Sequence, residues 1–368
     1  MLVLLSAVAF FLLVTGLILI HELGHFLAAK KAGVVVEEFG FGLPPKAVTL
    51  FRWRGTAFTL NWIPFGGFVR LKGENAIESK ERMEKGSFAK ASILARCGIL
   101  VAGVAMNFVL AFLIFLFGFS YGRWIPTYLT LSEMEAASSR GEIELKLGVL
   151  IDDVLAGGGA ADAGIAQRTL LLAVDKKPVG RADEVLPLQA SKTQVTYTVQ
   201  TENEEPRDVS VVVEDGKTGV YLSTVPTVLA APQRGIGASI SLSVRETKVV
   251  TAQTILGIVK LVKSLAQFGT VPEGVTGIVG IAQLTYVSVQ QGFIVYLRLV
   301  ALLSLSLAIL NILPFPALDG GRLVFVLKEA FFGVTSRRVE AYTNMVGLVV
   351  LLGLILVVTF FDVFRLIF

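Results

Sequence analysis

The stretch Leu17-Ile18-Leu19-Ile20-His21-Glu22-Leu23-Gly24-His25-Phe26-Leu27-Ala28-Ala29 sets two imidazoles and a carboxylate inside an apolar run that extends from residue 2 to residue 29. About 20 such residues carry a helix across roughly 30 Å of hydrocarbon. An ionisable side chain within a span costs about 2.5 to 3.5 kcal/mol even on the lenient insertion scale, so its presence points to function. His21 and His25 are the only histidines among 368 residues. Their i, i+4 spacing puts both rings on one helix face, close enough to ligate one zinc ion, with Glu22 beside them to work on water. The plainer alternative is a pair of helix histidines with structural hydrogen bonds.

The rest of the chain suits that setting. It is 54% hydrophobic and only 17% charged, with mean hydropathy +0.72, whereas soluble proteins average about 25% charged residues. The formal charge of +4 comes without a basic stripe interleaved with aromatics, which argues against nucleic acid as a partner. A single cysteine, Cys97, rules out an intramolecular disulfide framework and a cysteine-rich metal site. The first run lacks a charged start and a small-residue cleavage site, so it reads as a retained helix.

Four apolar runs reach membrane length, near 2–29, 98–121, 296–317 and 343–361. Lys30, Lys31, Arg52, Arg54, Arg70, Lys72 and further basic residues lie between the first two, and none precedes the first. By the positive-inside rule that segment is cytoplasmic and the amino terminus is outside. The expected fold is therefore a polytopic α-helical membrane protein of about four transmembrane helices. Residues 1–121 hold the first two helices and the histidine motif, 122–235 an extracytoplasmic region, 236–295 an amphipathic interfacial segment, and 296–368 the last two helices.

Two segments break the helical pattern. Strand-like pieces punctuated by Gly40, Gly42, Pro44, Pro45, Gly66 and Gly67 predict a β-hairpin region close to the bilayer. Residues 144–215 contain LGVLIDDV, TLLLAVDKKPV, TQVTYTVQ and RDVSVVVED, short β-branched strands of a small α/β domain. A surface helix is expected over 80–96, and an amphipathic one over 243–268 that lies on the membrane or packs on the soluble domain.

A zinc hydrolase takes three protein ligands and leaves a fourth position to water. With no histidine left, the third ligand should be a carboxylate, and Asp319 in NILPFPALDGGRL falls at the end of the third run, on the same side as His25. Pro314 and Pro316 break the helix there, and Gly320 and Gly321 allow close backbone approach. The plain alternative is a helix cap.

HELGH in a first span, GFG and FGGFV in the hairpin region, GVAMNFVLA in the second span and NILPFPALDGG at the third together resemble the site-2 protease family of intramembrane zinc metalloproteases, in particular the bacterial regulator of sigma-E protease branch. The resemblance covers nearly the whole chain. It implies that His21, His25 and Asp319 hold Zn2+, that Glu22 is the catalytic base, and that Asn107 and Asn311, with Gly66 and Gly67, contact substrate. It also implies a PDZ-like outer domain, a bacterial cytoplasmic membrane, and transmembrane substrates such as anti-sigma factors or signal-peptide remnants. Such PDZ domains usually continue with Gly-Asp after an Ala-Gly-Leu step, whereas this chain has Gln167-Arg168 after Ala163-Gly164-Ile165, and Ile278 stands where the family often has proline. The alternatives are a catalytically silent membrane metal sensor or transporter, and a PDZ scaffold.

Overall fold

The computed structural model describes residues 1–74, 84–201, 204–333 and 337–367, with Arg337 described in its backbone only. Two compact units emerge, Met1–Gly122 with Gly235–Phe368, and Arg123–Arg234.

The first unit opens with α1 (Leu2–Lys31), a 30-residue helix that ends on Lys30 and Lys31. Strands β1 (Val36–Trp53) and β2 (Thr56–Leu71) follow and pair antiparallel, as the glycine and proline punctuation predicts. Both strands bend so sharply that each pairs with the other twice: Gly40 faces Phe68 on one side and Thr59 on the other, while Thr59 also faces Thr49. Two strands thus make four segments in the order 67–71, 36–41, 57–60, 48–53. Gly40, in the segment paired on both sides, leaves room for the Phe68 ring, since a Cβ there would sit 2.3 Å from it.

The sheet lies along α1. Lys30 Nζ donates to the Arg54 carbonyl at 2.9 Å, and the Phe11 and Phe65 ring centroids are 5.6 Å apart. Those two contacts span about 28 Å of helix axis at 1.5 Å per residue, so the sheet runs beside most of a membrane-length helix. Irregular or open-edged backbone survives at membrane depth only inside protein or beside a water-filled cavity.

No helix is seen over residues 84–92 beyond a single 3-10 turn, Phe88–Lys90, and the remainder of the surface helix expected over 80–96 falls on α2 (Ile93–Ser120) or outside the described residues. Ser92 caps α2 and sets its start. After the second unit come α6 (Ile236–Phe268), α7 (Ile278–Gln291), α8 (Phe293–Ile312), α9 (Asp319–Phe332) and α10 (Arg337–Ile367). Phe26, Val36, Phe39, Leu71, Ile99 and Val326 form a core that joins α1, the sheet, α2 and α9.

Against four expected spans, five helices among the described residues are long and apolar enough to cross a membrane: α1, α2, α6, α8 and α10. The count differs because α6 has a hydropathy of only 1.5, against 2.4 to 2.9 for the others. Part of its polar set is buried, towards the first half of the helix, while Lys248, Gln253, Lys260 and Lys263 are exposed. Ser239, Ser243 and Glu246 are buried, Glu246 pairs with Arg298 of α8 at 3.1 Å, and Ile255, Leu256, Val259 and Val262 are exposed. Thr247, Thr251 and Thr254 donate to carbonyls four residues back, which hides their hydroxyls in a low-dielectric setting. Polar residues on both the buried and the exposed sides lower the average, so the sequence pattern reads as amphipathic rather than as a span.

Arg96 near the start of α2 is 3% exposed and grips Glu329 of α9 through two hydrogen bonds of 2.9 and 3.1 Å. Glu329→Gln strands that cation, at a cost of about 3 kcal/mol. A lower unfolding midpoint in detergent checks this.

The second unit contains α3 (Leu131–Ser139), β3 (Glu144–Val154), the short α4 (Gly159–Asp162), β4 (Thr169–Val174), β5 (Lys177–Pro178), α5 (Val185–Gln189), β6 (Gln194–Gln200), β7 (Arg207–Val212) and β8 (Val220–Ala230). Its sheet runs β7-β6-β4-β3-β8, with β5 beside β4. The four expected strands are present, and β8 lies beyond them. Alternation in β6 buries Val195, Tyr197 and Val199 against Val149, Ile151, Leu171 and Val174, with Val185 of α5 closing the core.

Candidate metal centre

The helix through the HELGH stretch sets the two rings edge to face, with centroids 4.7 Å apart and planes at 84°. The turn after α8 brings in the first residue of α9. Nε2 of His21 lies 2.9 Å from Oδ2 of Asp319, Nε2 of His25 lies 3.1 Å from the same oxygen, and the two Nε2 atoms are 3.1 Å apart. His25 Nδ1 stands 2.8 Å from the Ile99 carbonyl, which can only accept, so this nitrogen carries the hydrogen and Nε2 of the neutral ring keeps its lone pair. Three electron-rich atoms therefore converge, all within 4.8 Å of one another. A cation suits that set, and the edges approach the ~3.3 Å expected between tetrahedral ligands at about 2.0 Å bonds.

Space for the rings comes from glycine. A Cβ on Gly103 of α2 would lie 2.4 Å from His25 Nε2 and 2.9 Å from His21 Cε1, and one on Gly24 would lie 2.3 Å from the Ala102 carbonyl oxygen. These two positions let α1 and α2 cross closely at the depth of the histidines. Gly320 and Gly321 do the same for Asp319: their Cβ atoms would meet the Ile312, Leu313 and Phe315 carbonyl oxygens at 2.2 Å.

Glu22 points away from the ring face into a cavity of about 360 Å3 lined by His25, Phe68, Val69, Arg70, Asp319 and Arg322, among others. Its Oε2 accepts the Val69 amide hydrogen at 3.0 Å. Val69 belongs to the outermost segment of the sheet, so an edge strand borders the site. Lys72 N–H donates inward to Val35, hence the alternate residues Gly67, Val69 and Leu71 turn their backbone groups outward. Arg322 pairs with Glu74 at the cavity wall.

The structure brings His21, His25 and Asp319 together, with Glu22 beside them in the same cavity. Gly66, with φ 80°, packs near Ile18, and a Cβ on Gly67 would meet Leu19 at 2.7 Å, so both glycines bring the sheet onto α1. Asn107 is fully buried one turn beyond Gly103, and its side-chain amide finds no partner among the described residues. Asn311 is half-buried in the last turn of α8 and is not among the residues lining the cavity. Gly103, the Ile99 carbonyl and the Val69 amide were not identifiable in advance. The glycine lies in GVAMN, yet a small residue in an apolar helix has an ordinary packing role, and backbone groups carry no sequence signal.

Two imidazoles, a carboxylate and an adjacent second carboxylate in a cavity define a zinc hydrolase site of the H-E-x-x-H type. The profile of Peptidase family M50 matches residues 9–354, and the chain belongs to that family. It is 30% identical over 368 residues to a protein of Clostridium perfringens provisionally named as a zinc metalloprotease, covering 95% of this chain and 96% of that one. A similarly named protein of Campylobacter jejuni is 28% identical over 97% of this chain and 92% of its own length. The regulator of sigma-W protease RasP of Bacillus subtilis is 26% identical over 98% of this chain and 99% of its own length. The protein is thus a membrane zinc metalloprotease.

Proposed function

We propose that this protease hydrolyses peptide bonds within transmembrane segments of single-span membrane proteins. The observation that carries this reading is the position of the catalytic carboxylate, set within a membrane-length helix and hydrogen-bonded to the outward edge of a sheet at the same depth. A substrate helix must unwind before its carbonyls can be attacked, and its backbone groups then need new partners. The Gly67 backbone and the Val69 carbonyl offer them by strand addition, while the Val69 amide stays with Glu22.

His21, His25 and Asp319 would hold zinc, which would supply the positive charge that acidifies water and polarises a carbonyl. Glu22 takes the proton from water as the carbonyl is attacked and delivers it to the leaving nitrogen. The Val69 amide keeps Glu22 oriented between those tasks. The unpartnered amide of Asn107 is suited to an unwound substrate backbone, and Asn311 to the developing oxyanion.

The basic residues between α1 and α2 favour a cytoplasmic location for the Lys30 end, with the amino terminus and the PDZ-like unit outside a bacterial cytoplasmic membrane. Anti-sigma factors and signal-peptide remnants are the substrate classes of that arrangement. The test is a single-span peptide in liposomes, N-methylated at successive residues around the cleaved bond. Strand addition predicts that every second methyl group blocks cleavage. Uniform sensitivity, or cleavage only outside the apolar span, would overturn the reading.

A further inference from the structure

Ala317 has φ 75°, the left-handed region that residues with a Cβ avoid, and it lies two positions before Asp319. Such a conformation costs on the order of 1 to 3 kcal/mol and persists only where its surroundings hold it. The surroundings here come from a different helix. The Ala317 amide donates to Asn344 Oδ1 of α10 at 3.2 Å. One turn further along α10, a Cβ on Gly347 would lie 2.5 Å from both Cβ and O of Pro316. The last helix therefore seats itself on the turn between α8 and α9 through one hydrogen bond and one glycine contact.

We propose that Asn344 is a positioning residue for the metal centre: by holding Ala317 in its left-handed conformation it fixes the backbone frame from which Asp319 reaches the two histidines. The argument rests on the zinc site described above. Asp319 opens α9, so the direction of its carboxylate follows the peptide planes of residues 317 and 318 rather than an established helix. If Asn344 is removed, Ala317 loses the amide's partner and can relax towards negative φ. The rotation carries Asp319 with it, and a displacement of about 1 Å is enough to spoil a ligand constellation. Groups one step removed from a metal typically contribute about 10- to 100-fold in affinity or activity.

The test compares the unaltered protein, Asn344→Ala, Ala317→Gly and the double variant, each purified with zinc. Zinc release to a chelator is measured for each, alongside kcat and KM for a membrane peptide. Asn344→Ala is expected to release zinc about 10- to 100-fold faster and to lose kcat rather than KM. Glycine adopts φ 75° without strain, so Ala317→Gly alone should behave as the unaltered protein, and the double variant should return to within about threefold of it. A merely misfolded Asn344→Ala would not be rescued by a change at residue 317. Unaltered zinc release in Asn344→Ala, or an equal defect in the double variant, would overturn the proposal. Failure of the zinc reading itself shows differently, as an unaltered protein that binds no zinc.

Discussion

Glu22→Gln keeps its zinc and loses about a thousandfold in cleavage rate, the middle of the range for a positioned acid-base group. The glutamine side chain has the same shape and can still accept the Val69 amide hydrogen through its oxygen, which now bonds at 3.0 Å. Packing of the sheet against α1 is therefore kept. What is lost is the basic lone pair and the capacity to carry a proton to the leaving nitrogen. Zinc content by elemental analysis and intramembrane fragments of host membrane proteins are the two readouts. Retained zinc with loss of a set of fragments establishes the role of Glu22 and identifies substrates. Retained zinc with no change in fragments would favour a metal sensor or a scaffold.

Gly103→Ala is expected to abolish both zinc binding and cleavage, with metal affinity down by about 100-fold or more. The added methyl group would stand 2.4 Å from His25 Nε2 and 2.6 Å from its Cε1, distances no pair of atoms tolerates. Neither side can yield cheaply. His25 is anchored to the Ile99 carbonyl, and α1 is held against α2 where Gly24 meets Ala102. Gly98→Ala is the matched control on the same helix, since a Cβ there meets nothing within 4 Å. Loss of zinc in Gly103→Ala but not in Gly98→Ala assigns the effect to the ring pocket. Equal zinc in both would refute the close crossing of α1 and α2.

The last helix ties the metal centre to a part of the molecule well removed from it. Asn344 and Gly347 meet the turn before Asp319, while Asp362 near the other end of α10 accepts the Gly277 and Gly280 amides at 2.8 and 2.9 Å and caps α7. Helices α6 and α8 run side by side in the same direction, as Glu246–Arg298 and Thr254–Ser306 show. Residues 269–292 must bring the chain back between them. The 14 residues of α7 extend about 21 Å, less than a full crossing.

His21, Glu22 and His25 were legible in the sequence because their geometry is local: an i, i+4 spacing on a helix decides which side chains share a face, and the apolar run decides that the helix is a span. Asp319 was legible by elimination, as the carboxylate at the end of a run with the right polarity, and the strands of both β regions were legible from their punctuation. Other features depend on contacts between residues far apart in the chain. The tertiary structure alone decided that α6 buries Ser239, Ser243 and Glu246 against its neighbours, that β1 and β2 bend into a four-segment sheet, and that an edge of this sheet meets Glu22. It alone showed Gly103 as the space for the imidazoles, and a strained Ala317 held from α10. Local spacing determines which residues share a surface, but the depth, partner and backbone environment of that surface are set by packing, and the energy of packing is not written in any one segment.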